Sequence, residues 1–311
     1  MPRTLISSCR YLPLWLLLVC QLGCAPLLTE AIVSTPNRLN PLIGSVEDLP
    51  GVNPVLGIRQ RFYVPIRGTT PAEIAVSIIE PTNPLAEPRG TILVVHGIRA
   101  QGLWMRGIGR KLIEAGYRVA LVDLRGHGAS SGETLTFGVQ EARDLSQVID
   151  DLQARGLLAG KLGVFGYSYG ATTSIHLTAI DRRVAALVAA APFASARDEL
   201  PHYVRTILPG VGHLISDHAY QDMLLEAGRR GDFDPRDADA EHAITQVEVP
   251  VLLLHGMADL VVPAENSVRL RDAAPTVAEL ELVPEMGHFG IWLDYDGRIA
   301  RRTVQWFDEH L

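Results

Sequence analysis

Ser168 stands between two glycines in the run Gly166-Tyr-Ser-Tyr-Gly170. The residues before it, Lys161-Leu-Gly-Val-Phe165, form a short apolar run that predicts a strand. Those after it, Ala171-Thr-Thr-Ser-Ile-His-Leu-Thr-Ala-Ile180, predict a helix. A serine on a sharp turn between a strand and a helix projects its hydroxyl above the sheet, and this is the context in which G-x-S-x-G marks a nucleophile. Glycines on either side, lacking Cβ, let the strand and the departing helix approach closely. A glycine-flanked serine in an ordinary strand-to-helix turn fits the same five residues, so the rest of the chain has to decide.

A serine hydroxyl is a poor nucleophile at neutral pH unless a histidine takes its proton, and that imidazole needs a carboxylate to fix its tautomer and stabilise its charge. In a strand-turn-helix arrangement of this kind the acid follows the serine and the base follows the acid. Asp259 is the acid candidate: it comes just after the apolar run Val249-Pro-Val-Leu-Leu-Leu254, within His255-Gly-Met-Ala-Asp259. His288 is the base candidate, after Ala278-Glu-Leu-Glu-Leu-Val283 and the turn Pro284-Glu-Met-Gly287. Each lies beyond the C-terminal end of an expected strand, where open α/β sheets place their sites. Asp259 also suits a helix N-cap, His288 a plain loop histidine. Asp198 and Glu199, after the Val184–Ala191 run, are the alternative acids.

Strand-like runs fall near residues 60–66, 73–79, 91–95, 118–123, 161–165, 184–191, 250–255 and 278–283, most of them separated by helical stretches such as Leu103–Ala115 and Gly138–Arg155. This alternation predicts an α/β fold, a largely parallel eight-stranded sheet with helices on both faces, the first two strands forming an antiparallel hairpin at its edge. The insert 196–246 carries helical patterning and histidines at 202, 213, 218 and 242; it is expected to be a small helical cap over the strand ends that shapes a pocket. These histidines precede the acid and are expected on the surface or in helix packing.

From about residue 58 to the C-terminus the chain resembles the α/β-hydrolase superfamily, of the serine esterase, lysophospholipase or dienelactone-hydrolase kind. Besides Gly-Tyr-Ser-Tyr-Gly, the resemblance is carried by Thr91-Ile-Leu-Val-Val-His-Gly97, Val122-Asp-Leu-Arg-Gly-His-Gly-Ala-Ser130, His255-Gly-Met-Ala-Asp259 and Gly287-His288-Phe289. It implies a Ser168–His288–Asp259 triad and an oxyanion hole made by the backbone N–H groups of Ile98 and Tyr169. Tyr169 follows the nucleophile at a helix N-terminus, where free N–H groups and the dipole favour an anion. His127 is expected to shape the loop after the fourth strand, and His96 to brace the oxyanion loop. Trp104 and Met105 fit either an acyl pocket or helix packing.

No cofactor or metal is expected. The loop His96-Gly-Ile-Arg-Ala-Gln-Gly102 lacks the first glycine pair of a G-x-G-x-x-G dinucleotide site. The acidic stretch Asp232-Phe-Asp-Pro-Arg-Asp-Ala-Asp-Ala-Glu241 lacks the glycine and register of a calcium loop and reads as a solvated loop followed by an Asp-capped helix.

The N-terminus has the marks of an export signal over residues 1–24: Arg3 and Arg10, the short apolar core Leu12–Val19, then Leu22-Gly23-Cys24. That tripeptide resembles the end of a bacterial lipobox, which would make Cys24 a lipidation site, although Gln21 stands where an aliphatic residue is usual. Simple export with nearby cleavage, or an uncleaved anchor from Tyr11 to Leu28, are the alternatives. Residues 25–57 would tether or wrap the hydrolase domain, 58–311. All three cysteines, 9, 20 and 24, lie in this leader, so no disulfide forms within the folded domain. Losing residues 1–23 removes Arg3 and Arg10 and no acid, shifting the net charge from −7 to −9. An acidic domain argues against nucleic acid as a partner. The expectation is thus an exported, membrane-tethered serine hydrolase, in the cell envelope or periplasm, cleaving a small-molecule carboxylic ester. Peptide cleavage or acyl transfer by the same triad, or a non-catalytic binding module, are the alternatives.

Overall fold

The computed structural model describes residues 25–39, 53, 56–81, 83 and 87–311. The expected export signal, with Cys24, lies outside the described residues. Eight strands form one sheet: β1 (Gln60–Ile66), β2 (Ala72–Ile79), β3 (Gly90–Val95), β4 (Arg118–Val122), β5 (Lys161–Tyr167), β6 (Val184–Ala190), β7 (Val251–Gly256) and β8 (Ala278–Val283). Their order is β1-β2-β4-β3-β5-β6-β7-β8. β1 pairs antiparallel with β2, and β2 with β4; every other pairing is parallel. The expected fold and edge hairpin are therefore present.

Burial follows from this topology. The inner strands β3 and β7 are buried at every position, as a parallel sheet covered on both faces requires. The period of two splits their side chains between two cores. Leu93 and Val95 pack on one face with Leu145, Ile149 and Ile175; Ile92 and Val94 pack on the other with Leu112, Trp306 and Phe307. Helices α2 (Arg106–Glu114) and α9 (Arg298–His310) supply that second face, while α3 (Val139–Ala154), α4 (Tyr169–Ile180) and α7 (Glu265–Ala273) cover the first. The expected helix from Leu103 begins instead as a 3-10 turn, Gly102–Met105, because the Asp123 carboxylate takes the Gly102 N–H at 2.6 Å and pins its start.

Two further elements lie at the C-terminal ends of the strands. The insert after β6 contains α5 (Ala196–Ile207) and α6 (Asp217–Gly231). Helix α1 (Ala25–Val33) packs against α6, where Glu30 pairs with Arg230 at 2.6 Å. Just after α1 the chain is clipped to the loop beyond β4: Thr35 Oγ1 donates to the Gly132 carbonyl at 2.8 Å, and Asn37 Nδ2 to those of Gly128 and Ser130. The last helices are the short α8 (His288–Leu293) and α9. Among the described residues no helix is long and apolar enough to cross a membrane.

Candidate active site

β5 ends at Tyr167 and α4 starts at Tyr169, leaving Ser168 alone to reverse the chain with φ of 54°. A non-glycine residue reaches that left-handed region only where its surroundings hold it there. Here the Ser168 N–H donates to the Ala190 carbonyl at 2.7 Å, and its own carbonyl accepts from Ala171 and Thr172. The flanking glycines are required by contact. A Cβ on Gly166 would strike the Gly170 carbonyl, and one on Gly170 would strike the carbonyls of Val95 and His96.

The structure brings Ser168, His288 and Asp259 together. His288 Nε2 lies 3.0 Å from Ser168 Oγ, and His288 Nδ1 lies 2.7 Å from Asp259 Oδ2. With Nδ1–H donating to the carboxylate, Nε2 is left to accept the serine proton. All three side chains are buried. Asp259 Oδ1 accepts the N–H groups of Val261 and Val262, each at 2.9 Å. Burial opposes its ionisation, but hydrogen bonds from His255 and His288 outweigh burial and hold the carboxyl well below its usual range.

His255 and Tyr167 carry no role in the sequence reading, and α1 enters it only as part of a segment that tethers or wraps the domain. His255 Nε2 lies 2.8 Å from the Val262 carbonyl and 3.4 Å from Asp259 Oδ2, while Nδ1 lies 2.7 Å from Ser267 Oγ. It therefore ties the acid loop to α7. Tyr167 donates its hydroxyl to the His288 carbonyl at 3.0 Å, and its ring lies 5.2 Å from the imidazole. The spacing of His255 four residues before Asp259 was a usable signal; nothing local marks Tyr167.

The loop after β3 meets the serine from the other side. Gly97 packs so closely that a Cβ there would lie 3.3 Å from Ser168 Cβ. Ala100 N–H closes a turn on the Gly97 carbonyl at 3.2 Å, with Arg99 left-handed at φ 58°. The Arg99 guanidinium donates to the Ala31 carbonyl of α1 at 3.0 Å. His96 lies beneath this loop: Nδ1 is 2.7 Å from the Gly97 carbonyl, and Nε2 accepts the Leu124 N–H at 2.9 Å. Burial brings its pKa down to about 4, so it is a neutral brace. The His127 ring lies against it at a tilt of 54°, centroids 5.1 Å apart; burial, then the neighbouring His96, lower its pKa to about 3. Ile98 and Tyr169 both line the cavity into which Ser168 opens. Tyr169 is fixed by its hydroxyl, which donates to Glu141 Oε1 at 2.9 Å and accepts the Phe137 N–H at 2.8 Å.

That cavity, of about 310 Å³, has mostly apolar walls, including Trp104, Phe193, Leu200, Val204 and Phe289. Trp104 and Met105 both line it, and Trp292 braces the former by donating Nε1–H to the Trp104 carbonyl at 3.1 Å. Ala31 and Ile32 of α1 complete one wall. Neither alternative acid bonds His288: Asp198 pairs with Arg269 at 3.0 Å, and Glu199 faces the cavity from α5. His213, His218 and His242 are exposed, while His202 reaches the Leu260 carbonyl at 3.0 Å. In the acidic stretch Asp239 caps the turn Ala240–Ile244, accepting the His242 N–H.

Residues 86–237 match the family described as Serine aminopeptidase, S33. The chain is 27% identical over 225 residues to the uncharacterized protein YqkD of Bacillus subtilis (strain 168), covering 71% of this chain and 72% of that one. Among solved structures, it is similar to the Pyrococcus furiosus esterase Pf2001, with TM-score 0.64, 18% identity, and 83% of this chain and 95% of that chain covered. Est1E from Butyrivibrio proteoclasticus gives a TM-score of 0.57 at 21% identity over 79% of this chain and 96% of that chain. The chain has the α/β-hydrolase fold, and nearly half of it matches that hydrolase family. The family match supports a hydrolase, and the structural neighbours named here are esterases.

Proposed function

We propose that the protein is a serine hydrolase that cleaves a carboxylic ester through an acyl-enzyme. The observation that carries this reading is the hydrogen-bonded line Ser168–His288–Asp259 opening into an apolar cavity sized for a small ligand. Ser168 Oγ attacks the ester carbonyl as His288 Nε2 takes its proton; ionised Asp259 stabilises the imidazolium. The N–H groups of Ile98 and Tyr169 receive the oxyanion, a contact whose loss costs on the order of 100- to 1,000-fold in turnover. His288 then protonates the departing alcohol, and water activated by the same imidazole hydrolyses the acyl-enzyme.

Turnover of p-nitrophenyl esters from acetate to palmitate tests this. Ser168→Ala should lose activity on the order of a million-fold while keeping its fold; equal turnover would falsify the role. The family description favours a second reading, removal of an N-terminal amino acid from a peptide. Aminoacyl p-nitroanilides turned over in preference to esters would establish it. Attachment to a membrane through lipidated Cys24, with export to the cell envelope, is the accompanying proposal. Its support is Leu22-Gly23-Cys24 after the apolar Leu12–Val19 run. Detergent partitioning of the full chain against Cys24→Ala tests it.

A further inference from the structure

Glu199 is a carboxyl that the reaction above does not use. It sits in the first turn of α5, lines the same cavity as Ser168 and His288, and is 7% exposed. Among the described residues its Oε1 is buried with no hydrogen-bond partner, and the Asn266 amide beside it donates to the Pro263 carbonyl. The other charges around it are unsuited to a carboxylate. Asp259 is ionised nearby, Asp198 is the adjacent residue, and no cation among the described residues pairs with it. Arg99 also lines the cavity, but its guanidinium is given to the Ala31 carbonyl. Burial first, and Asp259 second, push the Glu199 pKa up to about 9. At neutral pH the group is therefore a carboxylic acid, a hydrogen-bond donor set in an apolar wall.

We propose that Glu199 is a specificity-determining residue whose carboxylic O–H hydrogen-bonds an acceptor oxygen of the substrate outside the scissile ester. The substrate class is thus a neutral ester bearing an ether, carbonyl or hydroxyl oxygen on its acyl or alcohol part. A cationic substrate group fits less well, because it would approach Arg99 and would require Glu199 to ionise beside Asp259. A buried donor with no acceptor costs free energy, so an oxygen-bearing substrate is preferred over its hydrocarbon counterpart.

The inference rests on the ester-hydrolase reading, so its test has two readouts. In the first, p-nitrophenyl hexanoate is compared with analogues in which an ether oxygen replaces one methylene at successive positions. The proteins are wild type, Glu199→Gln, whose amide still donates, and Glu199→Leu. The expected result is a position at which Glu199→Leu raises the KM of the ether analogue relative to that of hexanoate roughly tenfold, while Glu199→Gln keeps the wild-type ratio. Equal losses in both variants would show that a donated hydrogen is not what the substrate oxygen meets, and no discrimination at any position would leave Glu199 as plain wall; either overturns the proposal. The second readout needs no turnover. Between pH 5 and 9 the folded wild type keeps a proton that the unfolded chain has released. Its unfolding constant should therefore rise relative to Glu199→Gln by up to about tenfold per pH unit. A flat difference means Glu199 is ionised and overturns the proposal. If no ester is cleaved even by wild type, the hydrolase reading fails, and the pH readout still decides whether Glu199 holds its proton.

Discussion

At the scale of single residues, the site depends on which atoms are left to donate. Asp259 accepts from Val261, Val262 and His288, with His255 Nε2 3.4 Å from Oδ2, so it is a fixed anion and not a proton carrier. Asp259→Asn should keep the fold but turn an amide toward His288 Nδ1, favouring the wrong tautomer. We expect kcat to drop on the order of ten-thousand-fold, with circular dichroism unchanged. Tyr167→Phe removes the hydroxyl that holds the His288 carbonyl. Its cost should be about 1 kcal/mol of stability, read from urea midpoints, with a smaller loss of kcat than at Asp259.

At the scale of elements, the elbow is a junction of β3, β5 and α4 that leaves no room for a methyl group. Gly170→Ala would push Cβ into the carbonyls at the end of β3. Relief requires separating α4 from the strand, so we expect several kcal/mol of destabilisation, with loss of activity wherever the variant still folds. Gly107 is the control: it lies exposed in α2, where a Cβ meets nothing within 4 Å. Gly107→Ala should stabilise by about 0.5–1 kcal/mol, measured by the same unfolding curves. Glycine content predicts neither result; the neighbouring element does.

At the scale of the whole molecule, pH stability is set by buried groups drawn from several parts of the fold. Burial lowers His96 and His176 to about 4 and, helped by His96, His127 to about 3. Below pH 6.5 the unfolded chain takes up protons there that the folded chain refuses, so stability falls as pH falls. Asp144, raised by burial to about 6 despite Arg125 at 2.7 Å, acts the other way, since the folded state holds a proton longer than the unfolded one. Glu199 does the same at higher pH. His176 Nε2 has no partner among the described residues, which makes it the simplest histidine to remove. His176→Leu should flatten the loss between pH 6.5 and 4 by up to about 1.4 kcal/mol per pH unit, as seen in denaturant titrations at stepped pH.

The sequence by itself determined the sheet, its edge hairpin and the three residues that meet at the elbow. Each of these is written locally, in apolar runs bounded by turns and in motifs placed at strand ends. Residues at the C-terminal ends of neighbouring parallel strands meet wherever the strands pair in that order. Tertiary structure alone decided the walls of the cavity and the charge state of what lines it. Ala31 of α1 and Glu199 of α5 are far apart in sequence from Ser168, and both reach its cavity. Nothing around Asp198 and Glu199 in the chain separates them, yet one is paired with Arg269 at the surface and the other is buried beside Asp259. A side chain's periodicity can be read from its neighbours in sequence, but its desolvation is a property of the packed surroundings.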